Sequence, residues 1–121
     1  MQIQVLRTKI HRAQVTESCL DYEGSLTIDE ALMEKVGMVP YERILCGNLA
    51  NGNRFETYAI RGRRGSGEVI LNGAVAHLGK TGDRLTIMSY TWAEPSAAAA
   101  WNPNVIVLGE KNRIVSERKG Q

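Results

Sequence analysis

The sequence predicts a small, mainly β protein that closes into a barrel, and three observations predict it. Twelve glycines accompany only one clear helical pattern. Elsewhere, short runs rich in β-branched and aliphatic residues read as strand after strand. Turn signals such as Asn51-Gly52, the RGRRGSG loop and Lys80–Asp83 punctuate those runs at the spacing small barrels use.

Taken in order, residues 2–7 alternate polar and apolar (Gln2, Ile3, Gln4, Val5), as a half-buried strand does, and RAQVT carries extended chain to about Thr16. The stretch DYEGSLTIDE, residues 21–30, has Gly24-Ser25 at its centre, and after Ser25 the period changes to a helical one. Ile28, Leu32, Met33 and Val36 fall on one helical face, with Asp29 placed to act as N-cap and Gly37 to close the C-terminus. Ile28 and Met33 have the spacing of a hydrophobic staple across that cap. Pro40-Tyr41 marks a turn. Strands are predicted at 43–49, 54–60 and 68–71, the first two joined through Asn51-Gly52, a hairpin signal because both residues tolerate φ > 0. A second Asn-Gly pair, Asn72-Gly73, follows EVIL, and the strand RLTIMSYT follows the Lys80–Asp83 turn. An alanine-rich helix around 95–100 and strands at 104–108 and 113–116 complete the prediction, and the tail ERKGQ is expected to fray.

At 121 residues the chain fits a single domain, 1–121, with 43% apolar and 23% charged residues, the balance of a soluble globular protein. A net charge of +2 does not by itself imply nucleic acid. The Arg61, Arg63, Arg64 cluster has no interleaved aromatic residues and reads as a solvated loop. Cys19 and Cys46 form no CxxC pair, which suits free thiols in a reducing cytosol. Neither a signal peptide nor a membrane span is expected, so the location expected is cytoplasmic.

Pattern alone gives few candidates for chemistry. Lys9 and His11 are two apart, so a strand puts both on one face, where they are either binding groups or a surface lysine and a hydrogen-bonded histidine. Arg54, Glu56 and Tyr58 alternate along one strand and could bind a carboxylate and move a proton, or simply form the wet side of a hairpin. Thr57 belongs to the opposite face, so a site using both Thr57 and Tyr58 needs a twist or bulge. Ser25 lacks a GxSxG elbow, and no phosphate loop or metal-ligand cluster is present in the sequence.

The segments KIHRAQVT, DYEGS with the following Ile28-Asp29, NGNRFETYAI, Gly65-Ser66, LNGAVAH and the Gly82-Asp83 turn, in that order and spacing, resemble the pyruvoyl-dependent aspartate decarboxylases from about Leu6 to Ser89. The resemblance implies a six-stranded double-psi β-barrel assembled as a homotetramer, with active sites between neighbouring subunits. It implies that the chain cuts its own Gly24–Ser25 bond, giving a 1–24 β chain and a 25–121 α chain. The Ser25 hydroxyl attacks the Gly24 carbonyl, the ester eliminates to dehydroalanine, and hydrolysis leaves a pyruvoyl group at the new terminus. A weak hydroxyl nucleophile needs its target polarised, and the resemblance gives that task to Thr57 with Asn72 assisting. Glycine at 24, lacking a Cβ, is expected to let the hydroxyl approach.

The implied reaction is decarboxylation of L-aspartate to β-alanine for pantothenate synthesis, through a Schiff base between the pyruvoyl ketone and the substrate amine. Lys9 and Arg54 then bind the substrate carboxylates, Tyr58 returns a proton to the α-carbon, and the backbone of Gly73, Ala74 and Val75 lines the pocket. His11 is a further carboxylate-binding or supporting group. Members of the family commonly have tryptophan where this chain has Gly47 and alanine where it has Val75. These departures bear on pocket shape and specificity. The other readings are a decarboxylase of another amino acid such as glutamate, and a non-catalytic barrel that binds nucleic acid or a protein partner. The sequence does not decide whether a maturation factor assists cleavage, and no metal or membrane is implied.

Overall fold

The computed structural model describes residues 1–120. Its strands are β1 (Ile3–Gln14), β2 (Glu17–Cys19), β3 (Ser25–Asp29), β4 (Arg43–Asn48), β5 (Arg54–Gly62), β6 (Val69–Asn72), β7 (Arg84–Ala93), β8 (Asn104–Leu108) and β9 (Ile114–Arg118). They hydrogen-bond in the order β2-β6-β3-β5-β4-β7-β1-β8-β9. Only Val15 and Thr16 separate β1 from β2, which stand near opposite ends of that ladder. A link that short forces the sheet to curl back toward its own start. Thr16 N donates to Val69 O at 2.8 Å across the join. The protein is mainly β with short helices, as the sequence predicts. The ladder holds nine strands in all.

Helix α1 (Glu30–Val36) follows its end signals closely. Asp29 accepts from Ala31 N, and Gly37 at φ 82° takes the left-handed cap conformation that glycine adopts without strain. Leu32, Met33 and Val36 face inward and join Ile10, Leu26 and Ile87 in the core. Asp29 does more than cap. Its Oδ1 also accepts from Gly65 N and its Oδ2 from Gly67 N, both at 2.9 Å, so one carboxylate ties the arginine loop to the helix start.

Five predictions are corrected. Ser25–Asp29 is a strand rather than the approach to a helix, and all five residues are buried. It pairs with β5 in parallel along one edge and with β6 antiparallel along the other, and because residues on both of its faces are buried no alternation appears. Asn72-Gly73 makes no hairpin: Asn72 is extended at φ −111°, and Gly73 opens a 3-10 helix over Gly73–Leu78. The alanine-rich helix is shorter than expected, α2 (Pro95–Ala98), with no buried residue to hold a longer one. The tail does not fray from Glu117, because β9 pairs with β8 through Arg118. Gln121 lies outside the described residues. β1 also has no fully buried residue before Thr8: Ile3 is 36% exposed, and Val5, Leu6 and Arg7 are half-buried without alternating. Among the described residues no helix is long and apolar enough to cross a membrane.

Buried Asp83 fixes the turn ahead of β7. Its Oδ2 accepts from Asn48 Nδ2 at 2.9 Å and from Lys80 N at 3.0 Å. The Asn48 hydrogen bond, above all, holds its carboxyl below the usual value of 3.8. A lowered folded value stabilises the fold fully above 3.8, and that contribution is lost as pH falls through the lower folded value. Asp83→Asn removes the negative charge that Asn48, Lys80 N and the Lys80 ammonium all face, and leaves one weaker acceptor oxygen in place of two. It is expected to lower stability by about 1–3 kcal/mol at neutral pH and to flatten the acid limb, as read by denaturant melts from pH 7 downward.

Candidate active site

Ser25 opens β3 directly opposite Asn72 on β6 and is 1% exposed. Its Oγ accepts from Asn72 Nδ2 at 3.0 Å and donates to Glu23 O at 3.3 Å. The same Asn72 amide donates to Thr27 Oγ1 at 2.9 Å. Thr27 was not foreseen. Two residues after Ser25 on one strand, it shares Ser25's face, a signal available once 25–29 is read as extended.

The loop carrying the Gly24–Ser25 bond rests on Gly73. A Cβ at Gly73 would lie 2.8 Å from Gly24 Cα and 2.9 Å from both Gly24 N and Tyr22 O, and Gly73 has φ 70°. Gly24 itself is not crowded by the rest of the fold. A Cβ there would meet nothing within 4 Å, and its φ is not positive, so the crowding that demands glycine falls on residue 73.

A cleft of about 310 Å³ opens over Ser25, lined by Tyr22, Glu23, Pro40, Tyr41, Tyr58, Ile60 and Arg61. β3 runs parallel to β5 with Leu26 beside Ala59, which sets Ser25 next to Tyr58. The Tyr58 ring lies 6.1 Å from that of Tyr41, and Tyr41 is held at φ 70° with its N–H on Ala59 O. Thr57 is on the other face of β5, opposite Ile44, in a register without a bulge, and it does not line this cleft. One chain therefore brings Ser25, Asn72, Gly73 and Tyr58 together but leaves Thr57 out.

Lys9 and Arg54 line a second cleft, of about 460 Å³, with Gly47, Asn48, Thr86 and Met88. Among the described residues neither cation takes part in an ion pair. A row of facing residues crosses four strands here, His11 opposite Thr86, Thr86 opposite Gly47, and Gly47 opposite Arg54. His11 Nδ1 is 3.1 Å from Thr86 Oγ1. Burial lowers the His11 pKa below 6.5, and Lys9 and Arg12 lower it further. A titration of His11 followed by NMR is therefore expected to show a midpoint below 6.5, with the neutral ring prevailing at pH 7. Val75 is 8% exposed and joins the core, so its side chain is committed to packing, while Ala74 is exposed.

The arginine loop is occupied internally. Arg61 and Arg64 both reach Glu30, Arg64 also reaches Glu34 at 2.7 Å, and Arg63 pairs with Glu68. A basic surface answered by its own carboxylates offers little to a phosphate backbone.

Comparison with known proteins bears on the same residues. The family profile described as aspartate decarboxylase matches residues 1–115. A protein named aspartate 1-decarboxylase from Pelotomaculum thermopropionicum is 47% identical over 121 residues, covering 100% of this chain and 92% of the relative. One of the same name from Ralstonia pickettii is 49% identical over 114 residues, 94% of this chain and 95% of its own. Another, from Dehalococcoides mccartyi, is 42% identical over 116 residues, 96% and 94% respectively.

Proposed function

The chain belongs to the aspartate decarboxylase family, and we propose that it decarboxylates L-aspartate to β-alanine, a pantothenate precursor, on a pyruvoyl group made from its own Ser25. The observation that carries this reading is the setting of Ser25, a buried hydroxyl held by Asn72 beneath a peptide loop that sits on Gly73. In maturation, Ser25 Oγ bonds to the Gly24 carbonyl carbon as the Gly24–Ser25 C–N bond breaks, giving an ester. Loss of the ester leaves a Gly24 carboxylate and a dehydroalanine, and water then releases the nitrogen as ammonia and leaves the keto group. Asn72 orients the hydroxyl through a single amide donor.

The residues around Ser25 fit such a group. Gly73 leaves the room a Cβ would fill, and Asn72 provides a donor at its edge. Once formed, a pyruvoyl group supplies the electron sink for loss of CO₂, and the protein supplies orientation and charge. Tyr58, next to Ser25 and stacked near Tyr41, is the proton donor to the product carbon. Lys9 and Arg54, which share a cleft and form no ion pair among the described residues, take the carboxylates. Because one chain keeps those cations and the Ser25–Tyr58 pair in separate clefts, the complete site is built between neighbouring copies in a homotetramer. Exposed Tyr22, Tyr41, Leu49 and Trp92 suit burial in such an assembly. Free Cys19 and Cys46 fit a cytoplasmic enzyme.

Intact mass spectrometry of the purified chain tests the reading. Two fragments, 1–24 and 25–121, are expected, the larger with a carbonyl in place of an amino terminus. A single uncut chain that nonetheless releases CO₂ from aspartate would overturn it.

A further inference from the structure

We propose that Thr86 is a specificity-determining residue, a third anchor for the substrate carboxylate that Lys9 and Arg54 attract. The inference deepens the proposed function, since it concerns the substrate half of the same site. Thr86 sits in the middle of β7 and lines the cleft that contains both cations. Between it and Arg54 lies Gly47, the residue each of them faces across a ladder. A Cβ at Gly47 would meet no heavy atom within 4 Å, so the row has an open gap at that place, with a guanidinium on one side and a hydroxyl on the other.

Neighbouring strands are about 4.8 Å apart, which puts the Thr86 and Arg54 backbones roughly 10 Å from each other across that gap. Side chains reaching inward from both sides leave a space of carboxylate size. Arg54 offers a planar pair of donors, Lys9 a mobile one, and Thr86 a short, fixed one.

His11 gives the Thr86 hydroxyl its direction. The ring nitrogen Nδ1 is 3.1 Å from Thr86 Oγ1. Where that nitrogen accepts, the hydroxyl lone pairs are left toward the gap. Where it donates, the hydroxyl proton is left free to point there, which is the arrangement a carboxylate selects. His11 then acts on the substrate through Thr86 rather than by direct contact. This accounts for a histidine that burial and two neighbouring cations keep neutral beside an anion site.

The test uses the full-length protein and succinate, which carries both carboxylates of aspartate and no amine to react. Succinate affinity, measured by calorimetry, is expected to fall about tenfold in Thr86→Val and to recover in Thr86→Ser, the loss corresponding to one hydrogen bond to a charged group. The KM for aspartate is expected to rise by a similar factor, while the extent of Gly24–Ser25 cleavage by mass spectrometry stays that of the parent. A role in folding alone moves neither the KM nor its rescue by serine. Equal succinate affinity in the parent and Thr86→Val overturns the inference, as does a parent protein that binds no succinate. A parent that binds succinate through Thr86 but releases no CO₂ from aspartate overturns the proposed function and leaves the Thr86 assignment standing.

Discussion

Ser25→Ala is expected to yield one uncut chain of 121 residues and no CO₂ from aspartate. The fold should survive the change. Ser25 is 1% exposed, and alanine occupies less of the same space. The Asn72 amide that loses its partner keeps its bond to Thr27 Oγ1, so the cost in stability is about 1–3 kcal/mol at most. Chemistry, by contrast, loses its starting atom. Alanine has no β-oxygen to attack the Gly24 carbonyl and no β-leaving group, so neither the cut nor the keto group can form. Intact mass and a denaturing gel read the first loss, and CO₂ release reads the second. Turnover of aspartate by the uncut Ser25→Ala chain would place the electron sink elsewhere.

Gly73→Ala is expected to stop or greatly slow the cut while Ser25 and Asn72 remain in place. The added methyl would lie 2.8 Å from Gly24 Cα and 2.9 Å from Tyr22 O, and those are main-chain atoms of the loop to be cut. An L side chain at φ 70° adds roughly 1–2 kcal/mol of its own. The loop must lift, and a displacement on the order of 1 Å between reacting groups can cost about 10² in rate. A time course of fragment appearance measures the effect, with a melting curve to verify folding. Cutting at the parent rate would mean that the loop does not depend on this seat.

Much of this was legible in the sequence where local chemistry fixes the backbone. Asp29 and Gly37 delimit α1 because an N-cap oxygen and a left-handed glycine act within a single turn. The hairpin at Asn51-Gly52 was legible for the same reason, and Gly52 has φ 78°. β3 was not, because a strand covered on both faces shows no alternation, and its Leu-Thr-Ile run leads directly into a helical pattern. The partition of the site was equally hidden. Spacing along β5 put Arg54 and Tyr58 on one face, and nothing in that spacing says that one lines the cleft of Lys9 and the other the cleft of Ser25. Thr86 escaped notice because its meaning depends on two facing strands and on the emptiness at Gly47, which only pairing reveals.

The position of the proposed cut within the ladder would have a consequence for how the protein is made. Residues 1–24 include β1, which runs between β7 and β8, and β2, which borders β6. Severing the chain before Ser25 leaves the short piece clamped by main-chain bonds along most of its length, so the two pieces stay together as a complex without a covalent link. Folding of the uncut chain is unimolecular, whereas reassembly of the cut one requires two molecules to meet and so depends on concentration. Denaturant should thus be readily reversible for Ser25→Ala and poorly reversible, in dilute solution, for matured protein. Such a cut would commit each molecule to the shape it already has.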